Sequence, residues 1–228
     1  MPMDGQELSW IEYLKTVDAP TLSNAIELLK VRPRREGFTP LQVRALFPDF
    51  GRMCGYAVTA QVETVTESDE GEISRFIDLQ RAVEQSKKPA VIALQEIGGY
   101  PDYAAHCGEV MATIFKRLGA VGLVSDCAVR DVPEVRALGF HYFARGSVVS
   151  HASFRIVRAG VAVQVCGLVI RPGDLLHGDE NGLLLVPKDV EESLPRAVDA
   201  VRSRERRLME WVRSEGFSLD RLRDRMLE

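Results

Sequence analysis

AVIALQEIGGYPDYAAHCGEVMATIFKRLGAVGLVSD, residues 90–126, is the stretch that decides the fold. It opens on AVIALQEI (90–97), a short apolar run of the kind a strand shows when both its faces are buried. A glycine pair and a polar loop follow, then a helix from about Gly108 to Leu118 with Met111, Ile114, Phe115 and Leu118 on one face. AVGLVSD (120–126) is a second buried strand. Strand, helix and strand at this spacing predict a parallel crossover unit.

Working outward, CGYAVTAQVETV (54–65) alternates like a strand, TESDEGE is a polar connection, and ISRFIDLQRAVEQS continues as a helix. DAPTLSNAIELLK is a helix that Asp18 or Thr21 caps, preceded by SWIEYLKTV. Prolines and glycines in VRPRREGFTP and LFPDFG mark a loop between these helices and the first strand. Past residue 134, FHYFARG, VAVQVCGLVI, DLLHGDE and NGLLLVP are short strands, with RPGD and DENG as turns. A long helix over about 188–213 and a shorter one close the chain. The expectation is one α/β domain over 1–228, its core flanked by N-terminal helices (about 1–50) and C-terminal helices (about 188–228).

Composition narrows the function classes. A formal charge of -4 with interspersed signs leaves no basic footprint for nucleic acid. The short arginine runs VRPRR (31–35) and RSRERR (202–207) sit in or beside helices as solvated faces. Cys54, Cys107, Cys127 and Cys166 form no CxxC, which fits reduced thiols in the cytoplasm rather than a zinc cluster. MPMDGQELSW carries acids where a signal peptide carries basic residues, and no segment is long enough to span a bilayer, so a soluble cytoplasmic protein is expected.

Ligands of open parallel sheets sit beyond the carboxyl ends of the strands, here the loops after AVIALQEI and AVGLVSD. The first runs into a helix N-terminus where the amides of Glu109, Val110 and Met111 could hold an anion. The second supplies Arg130, a planar fork for a carboxylate, and Asp131, a hard oxygen ligand for magnesium or manganese. Together they describe a site for a small keto acid. Spacing alone favours a plain alternative, in which Asp131, Pro133 and Glu134 cap a short helix and Arg130 pairs with Asp126. Glu109 is in the same way open between a first-turn acid and a catalytic one. His106 is either substrate-facing or incidental, and Cys127 is a packing residue unless its pKa is lowered. SHAS (150–153) resembles a phosphohistidine loop, but the chain has no room for the domains such carriers need, so His151 is a loop or interface residue. The chain has no G-x-G-x-x-G after its first strand and no G-x-S-x-G, and Lys116 lies on the outer side of its helix, away from a Schiff-base role.

The order Gly108-Glu109, GLVSDCAVRDVPE (122–134), LGFHYFARG and GLVIRPGDLLHGDENGLLLVP resembles the RraA-like family, which includes the 4-hydroxy-4-methyl-2-oxoglutarate aldolases, over roughly residues 50–190. The resemblance implies an α-β-β-α sandwich of the swivelling β/β/α type, assembled as trimers or hexamers with sites between subunits. It implies Mg2+ or Mn2+ held by Asp131 with waters, Glu109 positioning those waters, Arg130 binding the keto acid, and Gly108 with the amides of Val110 and Met111 cradling its carboxylate. A neighbouring subunit's acid would fall near Glu205. The implied activity is metal-dependent cleavage of a 4-hydroxy-2-oxo acid to pyruvate, with oxaloacetate decarboxylation beside it. RraA itself implies a rival role, inhibition of a ribonuclease without catalysis. Some members carry a methyltransferase label, against which the missing nucleotide motif argues. Two departures bear on substrate fit: Cys127 stands where most members have glycine, and YPDYAAHC (100–107) is unusual.

Overall fold

The computed structural model describes residues 9–67 and 72–227. The first eight residues and the centre of the TESDEGE connection, on which two of the readings above fall, lie outside them. The predicted crossovers are present. β2 (Met53–Glu63) is followed by α3 (Glu72–Gln85) and β3 (Ala90–Glu96), and then by α4 (Glu109–Arg117) and β4 (Ala120–Ser125). β2 pairs with β3, β3 with β4, and β4 with β5 (His141–Ala144), all in parallel; α5 (Val132–Leu138) joins the last two.

Antiparallel additions make the sheet eight-stranded and curl it. The long β2 shares its other edge between β9 (Leu175–Asp179), against its first half, and β6 (Arg155–Ala159), against its second. β10 (Gly182–Val186) extends β9, and the two-residue β1 (Arg44–Ala45) lies on β5. The chain just before β1 runs along β10, with Thr39 N–H donating to Leu183 O (2.9 Å) and Leu185 N–H to Gly37 O (2.8 Å). That segment brings the two ends of the sheet together, and the sheet is nearly closed.

Buried strands are apolar on both faces because both faces are covered. In β3, Ile92 and Leu94 pack under the helices with Leu79, Ala112, Phe115 and Val135, while Val91 and Ala93 face the interior with Val124, Phe143 and Leu176. A third cluster seats α1 (Trp10–Lys15), α2 (Ala19–Leu29) and α6 (Leu194–Val212) on β9 and β10, through Leu14, Leu22, Ile26, Leu184 and Val198. α7 (Leu219–Leu227) follows α6. Asp18, not Thr21, caps α2, accepting from Thr21 N–H at 2.9 Å.

The long C-terminal helix begins at Leu194 rather than near residue 188, and other elements differ from the sequence reading as well. VAVQVCGLVI is not one strand but a hairpin, β7 (Val163–Val165) and β8 (Leu168–Ile170), joined by Cys166 and Gly167 at φ 46° and 92°. Positive φ at both central residues is the geometry that matches strand twist in a two-residue turn. The stretch 146–160, for which the sequence reading assigned no strand, contributes β6.

Candidate active site at the ends of β3 and β4

Because β3 and β4 are neighbours, the loops beyond them run side by side. His106 N–H donates to Ala128 O at 2.8 Å, and Arg130 N–H to Cys107 O at 2.9 Å. This brings Gly108, the N-cap of α4, against the Arg130-Asp131 pair. A Cβ on Gly108 would stand 2.4 Å from Asp131 Oδ2 and 2.9 Å from Arg130 Nε, so glycine is needed here for close approach.

Asp131 does not cap α5 through its side chain. It occupies the left-handed region at φ 56°, ψ 44°, and the carboxylate turns away to accept the Glu109 amide on Oδ2 at 2.9 Å. Non-glycine residues held at such angles cost free energy and collect at functional sites. The second half of the plain alternative fails as well: Asp126 accepts the Glu96 amide at 2.7 Å, and its carbonyl takes Arg145 Nε at 2.6 Å. Arg130 Nε lies 3.6 Å from Asp131 Oδ2, and both side chains are 37% exposed.

Of the three amides expected to bind an anion, that of Glu109 is thus taken by Asp131. Val110 and Met111 keep theirs, which have no intrahelical partner in the first turn. Glu109 meets Asp131 through its amide, and its side chain is exposed. Gly108, Val110, Met111 and Arg130 line a cavity of about 280 Å³ with residues of α3, β6 and the loop before β6. His106 and His151 also reach that cavity, the first buried and the second on an exposed loop. Glu205 is on α6, where Asn24 of α2 donates to it at 3.2 Å; it does not line the cavity. Lys116 is exposed and donates to Leu138 O.

Behind this corner lies a network that the sequence reading missed apart from His106 and Cys127. His106 Nε2 is 3.0 Å from Glu96 Oε2 and its Nδ1 2.8 Å from Ser125 Oγ, which itself accepts the Cys127 amide at 2.9 Å. Ser125 therefore donates its hydroxyl proton to Nδ1, and the neutral ring donates Nε2–H to Glu96. Burial holds the His106 pKa below its ordinary value, against the pull of Glu96. Burial alone would raise Glu96, yet hydrogen bonds from His106, the Gly98 amide and Thr64 carry it below the usual carboxylate range. Burial pushes the Cys127 thiol up to about 11, and the thiol donates to Ala104 O at 2.9 Å. Ligand atoms of Glu96, His106 and Cys127 all lie within 4.8 Å of one another, a spacing a metal ion could use. Each already has a partner within the protein, which is how buried polar groups remain satisfied without an ion. The signal available in the sequence was position: Glu96 and Ser125 are polar residues at the carboxyl ends of otherwise apolar strands.

The family model described as Aldolase/RraA matches residues 19–185. The chain belongs to the RraA-like family. One relative, from Halalkalibacterium halodurans, is named "Putative 4-hydroxy-4-methyl-2-oxoglutarate aldolase" and is 36% identical over 91 residues, 40% of this chain and 43% of its own length. The chain thus spans less than half of that relative. An uncharacterized protein of Methanocaldococcus jannaschii is 29% identical over 208 residues, 89% of this chain and 88% of its own. The crystal structure of RraAS2 from Streptomyces coelicolor, titled an unusual member of the RNase ES inhibitor RraA family, superposes with a TM-score of 0.68 at 23% identity. It covers 93% of this chain and 100% of that one, which shows the shared fold. The RraA-like family therefore holds proteins named as aldolases and proteins named as regulators. Among the described residues no helix is long and apolar enough to cross a membrane.

Proposed function

We propose that this RraA-like protein is a divalent-metal-dependent lyase that cleaves a 4-hydroxy-2-oxo acid to pyruvate and decarboxylates oxaloacetate. The observation that carries the reading is the junction at Gly108, where Asp131 lies against Arg130 and the start of α4, beside a cavity that Gly108, Arg130, Val110 and Met111 line. Asp131 suits magnesium or manganese: it is a hard oxygen donor, half exposed, with one oxygen pinned by an amide so that the carboxylate is held in one orientation. When bound, the ion supplies polarisation of the 2-oxo group.

The chain's own residues do the rest. The amides of Val110 and Met111, with the positive end of the α4 dipole, hold the substrate carboxylate. Arg130 offers its guanidinium to the oxygen on which charge develops as the C3–C4 bond breaks, favouring the enolate over the ketone. Glu109 positions water that carries protons from the C4 hydroxyl and to the enolate carbon. Decarboxylation of oxaloacetate passes through the same enolate and uses the same groups. Assembly as a trimer or hexamer, with a neighbour's Glu205 completing the site, belongs to this reading, and sedimentation of the wild type tests it.

The deciding experiment follows pyruvate release from oxaloacetate and from 4-hydroxy-4-methyl-2-oxoglutarate with magnesium, with chelator, and in Asp131→Ala. Metal-dependent turnover that the variant lacks is expected. Equal rates in the wild type, the chelated sample and the variant would reject the lyase. Tight binding to a ribonuclease in the same preparation would then establish the regulatory reading, which the name of the Streptomyces protein suggests.

A further inference from the structure

The cavity beside Arg130 has walls of two kinds. Gly108, the α4 amides and Arg130 make one wall, which is polar and suited to a 2-oxo acid head. Ile73 and Phe76 of α3, Phe154 and Ile156 at β6, and Met111 of α4 make the other. Ile73 is 78% exposed and neighbouring Val110 73%, so this wall presents apolar surface that is open among the described residues.

The polar groups within the second wall are already committed. Arg155 donates Nε to Glu63 at 3.0 Å, and its NH2 goes to the same oxygen. His106 has both ring nitrogens engaged, by Glu96 and Ser125, and turns its ring edge to Phe154 at 5.9 Å. Glu72 adds a negative charge. A second carboxylate here would be desolvated against apolar side chains, beside an anion, with the Arg155 guanidinium paired to Glu63 and the His106 ring neutral. His151, on its exposed loop, is the remaining polar side chain. A volume of about 280 Å³ sits at the small end of ligand pockets, room for one short acid and a single ring.

We infer that the substrate carries an apolar, ring-sized substituent at C4 rather than a second carboxylate. This rests on the lyase reading for its chemistry and on the cavity wall for its selectivity. For the phenyl case, 4-hydroxy-4-phenyl-2-oxobutanoate, the C4 hydroxyl gives up its proton and the C3–C4 bond breaks. C4 becomes the carbonyl carbon of benzaldehyde. The electron pair stays on the three-carbon unit as the enolate, which takes a proton at C3 to give pyruvate, so atoms and electrons balance with no further reactant.

The test has a binding arm and a turnover arm, both with wild type and Ile73→Arg in magnesium. Binding is read as thermal stabilisation by 2-oxo-4-phenylbutanoate and by 2-oxoglutarate, acids of matched chain position that differ in phenyl against carboxylate. Turnover compares 4-hydroxy-4-phenyl-2-oxobutanoate with 4-hydroxy-4-methyl-2-oxoglutarate. The expected result is preference for the phenyl compounds by roughly tenfold or more in kcat/KM and the larger thermal shift, with Ile73→Arg cutting that ratio by about tenfold. Because Ile73 is exposed, the unliganded melting temperature reports directly whether the variant is folded. Turnover without that preference overturns the inference and leaves the lyase standing. No turnover of either substrate, with stronger protection by the phenyl acid, keeps the selectivity of the wall for an apolar ring and removes the lyase. Equal protection by the two acids overturns it too, and is the outcome if a second copy of the chain covers the apolar wall.

Discussion

Two clusters of polar residues grow from the same two strand ends and have opposite character. In the inner one, Glu96, His106, Ser125 and Cys127 are buried and each polar atom has a partner from the protein itself. In the outer one, Arg130 and Asp131 are half exposed, and the two amides beyond Glu109 keep their hydrogens free for a ligand. Unsatisfied donors at the surface bind things, whereas satisfied ones in the interior hold shape. Residue type alone does not separate them, since a histidine, a glutamate and a cysteine make a more familiar ligand set than a single aspartate.

The comparison can be broken from either side. Asp131→Ala removes the carboxylate that would hold the ion in the outer cluster, and we expect pyruvate release to fall about a thousandfold while urea unfolding moves by at most about 1 kcal/mol. A large loss of stability would show that Asp131 is structural. His106→Ala takes out the centre of the inner cluster and leaves the Glu96 carboxylate buried without its main partner, at a cost of about 3 kcal/mol in urea unfolding. A stable His106→Ala that lost only turnover would move His106 into the outer group. Gly108→Ala tests the joint between the clusters: its methyl must displace Asp131 and Arg130, and roughly a hundredfold loss of kcat/KM is expected with little change in melting temperature.

A smaller effect comes from Asp126, which burial raises to about 7 from 3.8, with the nearby Glu96 charge adding to the rise. Between those values the folded protein holds a proton that the unfolded chain has released, so this contribution to stability is full below the lower value and is lost as pH rises through the higher one. Asp126→Asn should flatten the decline by roughly 2 kcal/mol between pH 5 and 7, read from urea curves at each pH. An unchanged slope in the variant would place the titration elsewhere. Smallest is Asp18→Ala, far from both clusters, where loss of the α2 cap costs about 1 kcal/mol and leaves turnover unaffected.

The parallel crossovers were legible because AVIALQEI and AVGLVSD are too apolar for one-sided strands and too short for helices, with a helical stripe between them. The outer cluster followed, since neighbouring parallel strands must deliver their loops together. The role of Asp131 was not legible from spacing: an aspartate before Val-Pro-Glu is also a good cap, and only its left-handed backbone directs the carboxylate to Glu109. The order of motifs around it, not its own neighbours, favoured the site. The β7–β8 turn escaped because Cys-Gly lacks the Asn-Gly or Asp-Gly signal, and β6 because RIVRA carries charges at positions that face out of the core. The inner cluster joins residues 64, 96, 106 and 125, whose proximity depends on the parallel register of β2, β3 and β4, which sets Val62 beside Glu96 and Leu94 beside Ser125, rather than on any local pattern.

The contrast between the clusters is tested most directly by titrating manganese(II) into the wild type, Asp131→Asn and Cys127→Ala and following free ion by electron paramagnetic resonance. One site per chain that Asp131→Asn abolishes and Cys127→Ala leaves intact is the predicted result. Binding that survives in Asp131→Asn but disappears in Cys127→Ala would place the ion in the inner cluster and contradict the account.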